Sequence, residues 1–209
     1  MISWVMMMMI SCRADEVDTT LGFTDLPFNT SYYHLHKPYD LPETQRYSFA
    51  GGVHRLWVYA TDKPYRRGSP TKPRTELMIS GYTYSSGIWQ FEGQGYVPKG
   101  TNGVCIMQVF GATRRATSLM LRVYNGSLMY YQTYSTVIVP GISDRWFRLN
   151  VIHDVGAGKV FVHVDGALVY EGADHGGSSH YFKCGVYAQK DMSSYMESRW
   201  KEIQIFNKN

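Results

Sequence analysis

Charge is scarce in this 209-residue chain, and cysteine is scarcer. Asp, Glu, Lys and Arg make up 18 % of it, against about 25 % in an ordinary globular domain, and there are three cysteines. So few cysteines exclude a disulfide-dense scaffold, and none is needed, because a domain of this length buries a full core unaided. A net charge of +4 mildly favours acidic partners but is too small and too dispersed to imply nucleic acid, and no nucleic-acid partner is expected. No apolar stretch reaches the roughly 20 residues of a membrane-spanning helix, no unit of fixed length repeats, and helical periodicity is missing throughout. Two enzyme signatures are missing as well. Val155-Gly-Ala-Gly-Lys159 lacks the Ser or Thr and the spacing of a phosphate loop, and no G-x-S-x-G elbow occurs.

The N-terminus carries an apolar run from Ile2 to Ile10, small residues at Cys12 and Ala14, and then acidic Asp15, Glu16 and Asp18. That order is the order of a secretory signal cleaved after Ala14, although basic residues are missing ahead of the run; an N-terminal buried strand is the alternative. The expectation is a signal at 1–14 and one domain at 15–209, exported to the extracellular space, the cell wall or the vacuole, monomeric and free of the membrane once the signal is removed. Cys105 and Cys184 then remain, as one bridge or as two buried free thiols. Asn29-Thr30-Ser31 and Asn125-Gly126-Ser127 are glycosylation sequons that suit such a route.

What is abundant is aromatic and alternating. Aromatics make up 15 % of the chain. Apolar residues recur with period two in "VHRLWVYA" (53–60), "RTELMIS" (74–80), "GVCIMQVF" (103–110), "SLMLRVY" (118–124), "SLMYYQTY" (127–134), "RWFRLNVIH" (145–153), "KVFVHV" (159–164), "ALVYEG" (167–172), "YFKCGVYAQ" (181–189) and "RWKEIQIF" (199–206). Asn125-Gly126 and Asp165-Gly166 are tight-hairpin signals between such runs. Short strands, turn chemistry and no long helix predict an all-β fold, an antiparallel sandwich.

Strand parity then separates core from surface. Arg74, Glu76 and Met78 share one face while Thr75, Leu77 and Ile79 share the other. Gln108 and Phe110 lie opposite Cys105, Met107 and Val109 on the same count. Tyr181 and Lys183 lie opposite Phe182, Cys184 and Val186, with Tyr187 and Gln189 further along the stretch. Placed side by side, the outer faces of these three strands make a polar, net-cationic floor; parity alone does not give their pairing order.

The three stretches "RTEL", "QVF" and "YFKCGVYAQ", in that order and at those separations, resemble the signature motifs of the alginate lyases of polysaccharide lyase family seven, R-T/S-E-L-R, Q-I/V-H and Y-F-K-A-G-x-Y-x-Q. "KPYDLPETQRYSF", "GVHRLWVYATDKP", "GYTYSSGIWQFEG" and "IMQVFGA" are closer to the plant citrate-binding, or alginate-lyase-like, proteins. The resemblance implies a jelly roll of two antiparallel sheets with the motifs on the concave one. It also implies a chemistry. Elimination at a uronate removes the C5 proton beside a carboxylate, so Arg and Gln donors neutralise that carboxylate, His or Tyr takes the proton, and Tyr donates to the leaving oxygen. By position these roles fall to Arg74, Gln108 and Tyr181, with Lys183 beside them.

Two departures decide what is expected of the site. The His position holds Phe110, which cannot take a proton, and the second Arg of the first motif is Met78. A general base contributes ~10²- to 10⁴-fold in rate, so the expectation is a non-catalytic, cofactor-free site in which Arg74, Glu76, Gln108, Tyr181, Lys183, Tyr187 and Gln189 hold a small polycarboxylate or an acidic oligosaccharide. The alternative is a lyase in which Tyr181 is both base and acid. Other constellations are weaker. His34 and His36 share a strand face without a third ligand, so no metal is expected. His153, His163, His175 and His180 read as surface or satisfied histidines. Arg66-Arg67 and Arg114-Arg115 read as solvated loop charges, the latter pair near enough to flank the groove, and Trp57, Trp89 and Trp146 read as core.

Overall fold

The computed structural model describes residues 18–113, 115–131 and 137–208; the expected signal segment lies outside them. In chain order the strands are β1 (Thr24–Leu26), β2 (His34–His36), β3 (Tyr47–Ala50), β4 (Val53–Tyr59), β5 (Arg74–Met78), β6 (Ile88–Tyr96), β7 (Val104–Phe110) and β8 (Thr117–Tyr124). Then come β9 (Ser127–Tyr130), β10 (Val137–Val139), β11 (Trp146–Asp154), β12 (Lys159–Val164), β13 (Ala167–Ala173), β14 (Tyr181–Ala188) and β15 (Tyr195–Lys208). The only described helices are two 3-10 turns, Thr30–Tyr32 and Glu43–Gln45.

The strands form the two antiparallel sheets of a jelly-roll sandwich, as expected. The outer sheet runs β13-β12-β11-β6-β15-β4-β3, with β1 beside β15, and the groove sheet runs β10-β9-β8-β7-β14-β5-β2. Alternation drives this layering: Leu56 and Val58 of β4, Phe91 of β6, Leu149 and Val151 of β11 and Trp200 of β15 face inward onto Leu77, Val109, Phe182 and Val186 of the groove sheet. Phe91 meets Phe182 across the gap at 6.1 Å between centroids. Two side-chain bonds also tie the layers, Ser198 donating to the Gly185 carbonyl (2.8 Å) and Thr75 to the Trp57 carbonyl (3.0 Å).

Two sequence expectations change here. Cys105 and Cys184 are free and buried, not bridged. A bulge between Cys105 and Met107 shifts the register of β7, so Ile106, Met107 and Val109 all join the core while Cys105 pairs with Arg122 and Tyr187 on the groove side. Cys184 stays in the core, which puts the two thiols on opposite faces of the sheet. The second change concerns His180, which is neither at the surface nor satisfied; it and His153 are both fully buried, with rings edge to face at 4.7 Å. His153 is satisfied by Tyr84 Oη and by Asp174, each at 3.1 Å, whereas neither nitrogen of His180 has a hydrogen-bond partner among the described residues.

Candidate functional site

The three motif strands are immediate neighbours. β14 lies between β7 and β5, so Tyr181 stands opposite Phe110, Lys183 opposite both Gln108 and Met78, Gly185 opposite Glu76, and Tyr187 opposite Arg74. Glycine at 185 is required twice over. Its φ is +143°, and a Cβ there would come within 2.4 Å of the Thr75 carbonyl oxygen. Beyond β7, β8 continues the same face with Met120 and Arg122.

Over this floor opens a cavity of about 560 Å³ lined by Arg74, Gln108, Phe110, Arg122, Tyr181, Lys183, Tyr187 and Gln189 from the strands, with His36 from β2. Tyr65, Arg66, Ser69 and Thr71 close one side, and Arg115, Ala116 and Thr117 the other. The described lining holds five cationic side chains, Arg66, Arg74, Arg115, Arg122 and Lys183, and no carboxylate. Glu76 lies just beneath. It receives a hydrogen bond from Gln108 Nε2 and lies 3.5 Å from Arg74 Nη1.

That single buried carboxylate orients two donors and leaves the rest of the positive charge for whatever enters. The Arg74 guanidinium lies over the Tyr187 ring, its Cζ 3.7 Å from the centroid, and its Nε has no partner among the described residues; nor has Nε of Arg122. Stacking holds the Arg74 plane in place without using all of its donors. Phe110 stacks on Tyr181 at 5.1 Å between centroids, and Lys183 Nζ sits 4.3 Å from the Phe110 ring. The residue in the place of the general base therefore acts as an apolar shelf under an ammonium.

Burial sets the protonation states. It lowers the Lys183 pKa, an effect that Glu76 opposes and Arg74 reinforces. It raises that of Tyr181, helped by Glu76, so the phenol keeps its proton and acts as a donor. Burial, with Lys183, Arg74 and Arg66 close by, pushes His36 down to about 3, and its ring stacks on Tyr65 at 4.0 Å, a neutral wall rather than another cation. The Cys105 thiol, also buried and near Glu76, is pushed up and stays protonated.

Of the residues expected from sequence, Arg74, Gln108, Tyr181, Lys183, Tyr187 and Gln189 line the cavity and Glu76 supports it from below. Sequence reading missed four others, His36, Tyr65, Arg66 and Arg122. Arg122 was within reach, since parity in "SLMLRVY" opposes Met120 and Arg122 to Leu121 and Val123. Arg66 and Tyr65 arrive on a loop that no periodicity orients. Arg115 flanks the groove as foreseen, and both it and Arg66 line the cavity instead of being merely solvated. Trp57 and Trp146 are the opposite correction. They lie on the exposed side of the outer sheet, Trp146 with 37 % of its surface accessible, and are not core.

Comparison with known proteins places these residues in a wider group. A family model described as alginate lyase matches residues 25–207. A citrate-binding protein of Hevea brasiliensis is 53 % identical over 196 residues, covering 93 % of this chain and 80 % of that protein. Among solved structures, an alginate lyase from Pseudomonas aeruginosa superimposes with a TM-score of 0.65 at 16 % identity, over 87 % of this chain and all of that one. One from Corynebacterium sp. gives 0.63 at 17 % identity, over 79 % and 82 % of the two chains.

Proposed function

The chain belongs to the alginate lyase family, and from that premise we propose that it is a non-catalytic binding protein whose groove holds a small polycarboxylate of the citrate kind or a short acidic oligosaccharide. The observation that carries this reading is the cavity lining, with five cations, oriented Gln and Tyr donors, and no carboxylate among its described residues. Arg74 is the carboxylate fork, stacked on Tyr187 and oriented by Glu76. Arg122 and Arg115 offer a second anchoring point from the β8 side, and Arg66 a third from the loop. A ligand bearing several carboxylates engages several of these at once, which a monocarboxylate cannot do.

Phe110 argues against turnover. A lyase working without the usual histidine needs Tyr181 as a base, and the burial that raises the Tyr181 pKa opposes that role. The likeness to the Hevea citrate-binding protein supports binding, and family membership supports the lyase alternative at the level of family. Export through the secretory route, with residues 1–14 removed, belongs to the same proposal and rests on the order of the N-terminal sequence. N-terminal sequencing of exported protein should begin at or near Asp15.

A thermal-shift screen with citrate, malate and oligouronates tests the binding claim. A ligand at 100 times its Kd stabilises by about 2.7 kcal/mol, worth roughly 5–10 °C in Tm for a chain this size. Citrate or an oligouronate should give such a shift while alginate incubated with the protein gains no ultraviolet-absorbing unsaturated ends. Robust elimination by the wild type that vanishes in Tyr181→Phe would establish the lyase instead.

A further inference from the structure

Among the described lysines only Lys183 is buried, with 2 % of its surface accessible. Lys159 and Lys201 lie nearer the solvent, on the carboxylates of Glu171 and Glu202. Lys183 has no such ion pair among the described residues, because the carboxylate beneath it, Glu76, takes a hydrogen bond from Gln108 and faces Arg74. Its surroundings are rings instead. Lys183 Nζ lies 4.3 Å from the Phe110 centroid and 5.6 Å from that of Tyr181, at the floor of the cavity. A ring at 110 supplies no hydrogen bond that would hold the amine in its charged form.

A desolvated amine beside other cations is the setting in which lysine becomes a nucleophile. Burial and Arg74 both lower the Lys183 pKa, against the opposing pull of Glu76, so the neutral amine is easier to reach here than on an ordinary surface lysine. Register shows what stands near it. Arg74 lies opposite Tyr187, four residues along β14 from Lys183, and its Nη1 reaches back to within 3.5 Å of Glu76, whose partner Gly185 lies midway between the two. A carboxylate gripped by Arg74 therefore presents its neighbouring carbon towards the amine. In a plain polycarboxylate that carbon is inert. In a 2-oxo acid it is a carbonyl, and a second carboxylate on the same molecule can meet Arg122 or Arg115 across the cavity.

We infer that Lys183 reversibly captures 2-oxo dicarboxylates as an imine, an activity that rests on the reading of the groove as a carboxylate site. The neutral Nζ attacks the carbonyl carbon and gives a carbinolamine; the carbonyl oxygen then leaves as water with the two amine hydrogens, and a carbon–nitrogen double bond remains. Tyr181 is two residues away on the same strand face, and burial keeps its phenol protonated. It donates to the departing oxygen and recovers a proton as the nitrogen gives one up. The imine takes up a proton in turn, so the positive charge of the lining is preserved. Water reverses the reaction, and neither an oxidant nor a reductant is consumed.

Cyanoborohydride trapping reads this: the wild-type protein is incubated with 2-oxoglutarate, reduced, and mapped by peptide mass spectrometry. A reduced adduct is expected on Lys183, formed at least about 10-fold faster than on Lys159 or Lys201, which their carboxylate partners hold as ammonium ions. Citrate should slow it by competing for the same cations. Dimethyl 2-oxoglutarate, with the same carbonyl and no charge, should show no preference for Lys183, and Lys183→Arg should remove the groove adduct. The mapping on wild type needs no variant, so the inference stays testable if Lys183→Arg does not fold. Label spread evenly over the surface lysines, or equal labelling of Lys183 by the dimethyl ester, would overturn it. A citrate-induced rise in Tm without any Lys183 adduct would remove the imine and leave the binding reading standing. A Lys183 adduct that citrate does not slow, with no citrate-induced rise in Tm, would keep the imine and remove citrate from the groove.

Discussion

The two sheets of this sandwich place positive charge outward in opposite ways. On the outer sheet the cations that lie over rings have acidic neighbours: Arg55 and Arg199 share Glu197, Lys201 has Glu202 at 3.5 Å, and Arg46 grips Asp62 through Nε at 2.7 Å and Nη2 at 2.6 Å. On the groove side five cations, three from strands and two from loops, face one cavity, and the carboxylate of Glu76 is buried beneath them. Cations that neutralise one another's partners stabilise a surface. Cations gathered without partners cost stability and are retained where a ligand supplies the missing charge. The comparison therefore sets an outer face whose charges are paired against a groove whose charge awaits a ligand in the proposed function.

The largest expected effect comes from the glycine on which the groove floor depends. Gly185→Ala should lower stability by about 3 kcal/mol or more, because φ of +143° is strained for alanine and the new Cβ meets the β5 backbone. Urea unfolding measures it, and citrate binding should be lost with the register. Next is the elimination that the proposed function withholds from a groove with Phe110 and Met78 in it. Phe110→His with Met78→Arg restores a base opposite Tyr181, and the nearby Lys183 ammonium keeps that imidazole neutral and able to accept a proton. Unsaturated ends should then form from alginate at a rate at least about 10²-fold above wild type. A double variant no faster than wild type would mean that the groove no longer admits a uronate chain in a reactive pose.

Acid should weaken both sheets through their buried histidines. Burial pushes His36 of the groove sheet down to about 3 and His54 of the outer sheet down to about 4. Each stays neutral in the folded protein and binds a proton in the unfolded chain below about 6.5. Folding stability is therefore fully present above that pH and is lost as pH falls from about 6.5 towards 3. Ligand-free Tm should fall between pH 7 and 5, and His54→Gln should flatten that fall without changing citrate affinity. The smallest effect expected is on the outer face. Glu197→Gln should cost about 1 kcal/mol, since the two half-exposed arginines it leaves can turn to water. Chemical denaturation reads that loss, and groove binding should be unaffected.

Most of the fold could be read from alternation, and the exceptions have identifiable causes. β6 escaped notice as a strand because Gly93 and Gly95 interrupt its apolar face. Those glycines leave room for large neighbours: a Cβ at 95 would lie 2.8 Å from the Phe147 ring and 3.2 Å from Trp200. Cys105 was placed in the core because parity assumes an unbroken ladder, and the bulge before Met107 turns it to the other face. The motif strands gave the floor of the candidate site, since β-strand parity fixes which side chains share a face. The walls depend on loop residues such as Tyr65 and Arg66, whose approach is set by tertiary packing. Trp57 and Trp146 were misassigned for a related reason: hydrophobicity alone does not separate a core ring from one stacked with a cation at the surface.

The claim that the groove is charge-led rests most directly on Arg74, and calorimetric titration of citrate into wild type and Arg74→Ala at the same pH and salt tests it. Loss of one charge-assisted, bidentate contact should weaken binding by ~1.5 to 3 kcal/mol, which is about 10- to 150-fold in Kd. Because Arg74 pairs only weakly with Glu76, at 3.5 Å, the variant should remain folded. An unchanged Kd in folded Arg74→Ala would contradict the account and remove the groove as the site of acid binding.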